Sequence, residues 1–262
     1  MTFLRLLYTI NVRKHKEFYM NKINLPKFNY PIEKKSYLPA INALLLSVVP
    51  WYLSSHFSSE IFSKHLSIQI LFFLATFMVN FLTIDRLTNK TNLRLMAPLA
   101  IIPILTFIIL LFSENTYVAL LGLLSFVPFL TTFLPFEQKN GVGLLTFSLS
   151  VGTLAPLAFF YIRNGFVTSI LLKMGLLLSL MIIVILFAIF IKTSFKFAIF
   201  ALALTLIITI FAFILLKSWT ALIYPILAVF SWFVPKLHLP RNFTLLVLIA
   251  LIGLASFFIT IN

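Results

Sequence analysis

Between Lys196 and Lys217 the chain reads Phe197-Ala-Ile-Phe-Ala-Leu-Ala-Leu-Thr-Leu-Ile-Ile-Thr-Ile-Phe-Ala-Phe-Ile-Leu-Leu216, without a charge or a proline. An α-helix rises about 1.5 Å per residue, so roughly 20 apolar residues match the ~30 Å hydrocarbon layer of a bilayer. The run therefore reads as a membrane-spanning helix with a lysine at each end. The whole chain has the same character. Of its 262 residues 61% are hydrophobic and only 10% charged, and the mean hydropathy is +1.11. A water-soluble domain of this length needs far more polar surface.

Working outward, the apolar runs number nine. Downstream lie Trp219–Val234 and Phe243–Ile261; upstream lie Leu38–Phe57, Leu66–Ile84, Leu95–Phe112, Tyr117–Phe136, Val142–Ile162 and Phe166–Ile191. Polar breaks such as Ser113-Glu114-Asn115 and Arg163-Asn164-Gly165 separate them. The expected fold class is all-α, a polytopic bundle of nine spans forming one transmembrane domain, 38–262, behind a basic segment, 1–37. Eight of the twelve prolines fall in or at the ends of spans, and kinked membrane helices often line a cavity.

Charge gives the orientation. With the N-terminus inside and the spans alternating, 16 of the 20 Lys and Arg residues fall on the inner side, leaving Lys64, Arg163, Lys173 and Lys217 outside. This is the bias of the positive-inside rule, and it sets Asn262 outside. The net charge of +14 is thus spent on topology, with no continuous patch for nucleic acid. Phe3–Ile10 is too short, and too soon interrupted by Arg13-Lys14-His15-Lys16, for a cleavable signal peptide. Residues 1–19 read either as an amphipathic segment on the inner leaflet or as an extension upstream of a start at Met20.

Candidate chemistry is sparse. The chain has no cysteine, which removes thiolate and zinc–thiolate sites. It shows no Ser-His-Asp set, no phosphate-cradling glycine loop and no row of intramembrane carboxylates; the last argues against a proton-driven pump. The most polar break is Asn80-Phe-Leu-Thr-Ile-Asp85-Arg86-Leu-Thr-Asn89-Lys90-Thr-Asn92-Leu-Arg94. Asp85 and Asn89 are four apart, one helical face, and hard oxygen ligands of this kind suit magnesium on a diphosphate. Alternatively Asp85 sits at the inner interface beside Arg86, in a solvated stop-transfer loop whose Arg86, Lys90 and Arg94 hold it inside. His56 and Glu60 make an incomplete metal pair that His65 would have to complete; an interfacial role without a ligand fits them better.

Nine spans, an inner basic N-terminus and a polar loop after span two resemble the UbiA-type prenyltransferases. That resemblance implies magnesium and a prenyl diphosphate held by aspartate-rich loops after spans two and six. Asp85-Arg-Leu-Thr-Asn89 resembles a worn Asp-x-x-x-Asp, Asn80 lies one residue from the family's leading Asn, and Arg94-Leu-Met-Ala-Pro98-Leu99 is similar to its Arg-Pro-Leu. The second loop, Ile191-Lys192-Thr-Ser-Phe-Lys196, has no acid. Leu121–Gly165, Lys192-Thr193 and Pro240–Asn262 resemble the YwiC-like proteins of Gram-positive bacteria, although only Leu25-Pro26-Lys27 stands for that family's opening motif. The resemblance implies a catalytically degenerate UbiA-like protein of the cell membrane that binds or passes a lipid or small hydrophobic molecule. An active magnesium-dependent prenyltransferase and an accessory subunit of a membrane-protein complex are the other two expectations.

Overall fold

In the computed structural model, residues 37–58, 66–89, 97–113, 116–128, 141–191 and 195–261 are described. Among them every regular element is helical, and no strand occurs. Among the described residues nine helices follow one another. They are α1 Leu38–His56, α2 Leu66–Asn89, α3 Ile101–Ser113 behind a 3₁₀ turn at Ala97–Ala100, and α4 Thr116–Ser125. Then come α5 Gly141–Asn164, α6 Ser169–Phe190, α7 Phe195–Leu216, α8 Trp219–Leu237 and α9 Arg241–Thr260.

Seven of these, all but α3 and α4, are long and apolar enough to cross a bilayer. With 13 and 10 residues, α3 and α4 reach only about 20 and 15 Å. The second half of the expected fourth span, 129–140, lies outside the described residues, as do residues 1–36. The other expected spans recur as helices with shifted ends. One shift bears on the candidate site: α2 runs through Asp85 to Asn89. No glycine or proline interrupts the segment after Ile84, and the Thr83 and Thr88 hydroxyls donate back to the carbonyls of Val79 and Ile84. The helix therefore has no reason to stop where the apolar run does.

The bundle is densest at α5 and α6. Over its spanning stretch α5 is 72% buried, whereas α7 is 22% buried. Pro156 shapes α5 from within. It has no N–H for the carbonyl of Gly152, and its ring crowds that carbonyl. The preceding turn widens into a π-helix, Ser150–Leu154, in which Ala155 N–H donates to Ser150 O. Gly152 there touches α6 so closely that a Cβ would lie 2.5 Å from Ser179 N, while a Cβ on Gly175 would lie 2.9 Å from Gly152 O. Hydroxyls seal the contact. Ser179 Oγ donates to Ser148 O at 3.0 Å, which leaves Thr153 to donate to Ser179 Oγ at 2.6 Å. Ser150 Oγ donates to Ser125 O of α4.

Around this pair α1 packs on α2, α5 and α9, while α6 carries α7, α8 and α9. A second apolar cluster joins α2 to α3, α4 and α5, with Phe72 edge-on to Phe159 at 4.7 Å. Small residues and buried hydroxyls at helix crossings are what association in lipid requires, because lipid tails supply no hydrophobic drive between helices. Gly152→Ala is expected to destabilise by about 1–3 kcal/mol through overpacking, read as a lower unfolding midpoint in detergent. Gly253→Ala, where an added Cβ meets nothing within 4 Å, is expected to be neutral or stabilising by up to about 1 kcal/mol.

Candidate functional site

Polar side chains gather at both ends of the α1, α2, α5, α9 group. The end where α1 begins, expected to face inside, holds Asn80, Asp85 and Arg86 of the residues singled out above. Asn80 is buried on α2, and its Nδ2 donates to Ser47 Oγ of α1 at 2.8 Å; Ser47 passes the bond to Ala43 O at 2.7 Å. Asn42 Nδ2 donates to Asn242 O at the start of α9, at 3.0 Å. The Oδ1 atoms of Asn42 and Asn242 are buried without an acceptor role.

Asp85 is 7% exposed, so it lies inside the helix packing and not in an interfacial loop; Arg86 beside it is half-buried. Asn80 and Asp85 are five positions apart, about 140° around the helix. The structure therefore turns them to different faces, and Asn80 belongs to the α1–α2 contact. Asp85 and Asn89 do share one helix and one face. The side chain of Asn89, and all of Lys90 and Arg94, lie outside the described residues, as do Glu60 and His65. Among the described residues no three of His, Asp or Glu come together. Among the described residues one carboxylate, beside an acid-free Ile191–Lys196 connection, falls short of a cradle for magnesium and diphosphate. The helices α2 and α6, whose ends would form such a cradle, are not among those that pack along their lengths.

The opposite end holds a residue the sequence marks only as part of a turn. Arg163 closes α5, and Gly165 caps the helix in the left-handed region (φ +73°) with its N–H on Tyr161 O. One residue added to a turn rotates everything beyond it by about 100°, so the π-turn before Pro156 sets the face on which Arg163 falls. That face is inward. Arg163 is 7% exposed; its Nε donates to Gln69 Oε1 of α2 at 2.9 Å, and its Cζ lies 5.5 Å from the Trp51 ring of α1. Nη1 and Nη2 are both buried and meet no acceptor.

The charge itself is partly compensated. The C-terminal dipole of α5 contributes about 0.3–1 kcal/mol and the indole face about 0.5–2 kcal/mol. Neither satisfies a donor. Four of the five guanidinium N–H groups remain without a partner, and each such buried donor costs about 1–3 kcal/mol. The sequence signal for this site was Gln69, an amide inside an apolar run, which only gains meaning beside Arg163.

A groove of about 270 Å³ runs between α7 and α8, lined by Leu202, Thr205, Leu206, Val229, Trp232, Phe233 and Lys236. Leu202, Leu206, Val229 and Phe233 are exposed, so it lies on the outer face of the bundle. Lys236 Nζ stands 5.2 Å from the Phe233 ring and marks the groove's polar end.

No protein-family model, curated protein or solved structure matches this chain. The Asn80–Ser47 bond joins α1 to α2. A double-mutant cycle with Asn80→Ala and Ser47→Ala is expected to give a coupling of about 0.6–1.7 kcal/mol, the range of interhelical hydrogen bonds in membranes, measured by unfolding in mixed micelles.

Proposed function

We propose that this multi-pass helical protein binds or passes a lipid, holding an acyl segment in the α7–α8 groove with its anionic headgroup beside Lys236. The groove supports this reading most directly. Its wall is almost wholly apolar, it opens on the face that lipid tails reach, and the one charge on it is a cation at an end. Its volume is at the low end of the roughly 300–1,000 Å³ of ligand sites, which fits a segment of chain and not a whole lipid. Amphiphile recognition needs this division: apolar surface for the tail, and a snorkelling lysine for the head. The YwiC-like and UbiA-like resemblance agrees with a protein handling a hydrophobic molecule in the cell membrane of a Gram-positive bacterium, with the catalytic carboxylates worn away.

Purified protein is expected to carry a subset of anionic lipids, detected by native mass spectrometry. Leu206→Trp, which fills the groove, and Lys236→Ala, which removes its charge, are each expected to lower retention severalfold. Recovery of bulk lipid in bulk proportions from all three proteins would overturn the reading.

The burial of Asp85 with Asn89 one turn on keeps prenyl transfer as a second reading. It requires transfer of a labelled prenyl group from its diphosphate to an aromatic or quinone acceptor in the presence of magnesium. It also requires loss of that activity in Asp85→Asn. Absence of transfer in the wild type leaves the binding reading alone.

A further inference from the structure

Arg163 has no part in the groove: it closes α5, among α1 and α2, at the end of the bundle opposite the start of α1. A guanidinium is charged at every physiological pH and cannot shed its donors to suit its surroundings. Here it is also held still. Gln69 fixes Nε, the Trp51 ring covers one face, and a bond from Ser58 Oγ to Asn164 Oδ1 at 3.2 Å ties the end of α1 to the end of α5 beside it. The two η nitrogens, both buried and both without an acceptor, are the half of the fork that engages two oxygens of a single oxyanion side by side.

A purely structural arginine would end on carbonyls or snorkel its head to water. This one does neither. Asn164, its neighbour, donates through Nδ2 to Phe160 O at 3.0 Å and accepts at Oδ1 from Ser58 Oγ at 3.2 Å, so its amide is engaged away from Arg163.

We infer that Arg163, oriented by Gln69 and Trp51, is the receptor of an oxyanion site at this end of the bundle, taking a carboxylate or phosphate in bidentate fashion. The anion can come from a phospholipid headgroup in the adjoining leaflet or from a small solute in water. On the charge-derived orientation that leaflet is the outer one. The site is independent of the α7–α8 groove, and Lys236 variants leave it intact.

Trp51 is the reporter. In a Trp219→Phe, Trp232→Phe background it is the remaining tryptophan of the chain's three. Full-length protein in neutral detergent is titrated with inorganic phosphate, with acetate and with a short-chain phosphatidic acid. A saturable change in Trp51 fluorescence is expected with at least one of them. Phosphate or acetate alone identifies a solute site; phosphatidic acid alone identifies a headgroup site. Arg163→Gln is expected to abolish the change. Arg163→Lys keeps the charge but loses the fork, and is expected to bind about thirtyfold more weakly or worse. Gln69→Leu, which frees the fork to rotate, is expected to weaken binding while leaving the fold in place, and serves where Arg163→Gln does not fold. No saturable response to any anion, or the same response in Arg163→Lys and Gln69→Leu as in the wild type, overturns the site.

Discussion

The close crossing of α5 and α6 governs the rest of this bundle. Gly152 and Gly175 bring the two backbones together where neither could carry a side chain, and the Thr153–Ser179–Ser148 relay satisfies hydroxyls that lipid would leave stranded. The geometry begins with one residue. Pro156 removes an N–H and crowds a carbonyl; the turn before it widens; and the widening both lets Gly152 approach Ser179 and rotates the last two turns of α5. Membrane helices tolerate proline when the polar groups around it are met within the protein, and beside this turn the hydroxyls of Ser150, Thr153 and Ser179 are all bonded. A packing device in the middle of α5 thus aims a charged group at its end.

The helix order follows from a second constraint. Asn42 meets Asn242 at one end of α1, and Tyr52 meets Thr260 at 3.0 Å near the other, so α1 and α9 run side by side in the same direction. Parallel neighbours need an even number of crossings between the start of one and the start of the other. That holds if α3 and α4 each cross, and it holds equally if the pair dips in and turns back. The short α3–α4 hairpin therefore leaves the alternation of α5 to α9 untouched.

Apolar runs were enough to find the helices, because a bilayer imposes one length and one secondary structure. They were a poor guide to where helices stop. Asp85 shows why: the apolar run ends at Ile84, but hydrogen bonding continues to Asn89, and the carboxylate enters the packing with it. The candidate site was legible only as residue types. Asn80 and Asp85 stood out as polar groups close in sequence, yet a spacing of five sends them to different faces, and Asn80 turned out to be a helix clasp. Arg163 and Gln69 are 94 positions apart, and the turn that aims one at the other depends on a π-helix that no periodicity announces.

Satisfaction separates the polar groups of this protein into two kinds. Asn80, Ser47, Thr153 and Ser179 each have a partner within hydrogen-bond distance, and their chemistry is consumed in holding helices together. Arg163 has spent one donor and a ring face on being oriented and has its remaining donors to give. Thr220 and Tyr224, four apart on α8, carry buried hydroxyls that likewise meet no partner, but a neutral hydroxyl can be satisfied by a single water. A guanidinium fork cannot: its pair of parallel donors matches an oxyanion in geometry as well as in charge. Composition alone ranks an arginine at the end of a span as a topology signal. Burial among three helices, with the fork left open, gives the same residue the strongest claim on an anion among the described residues.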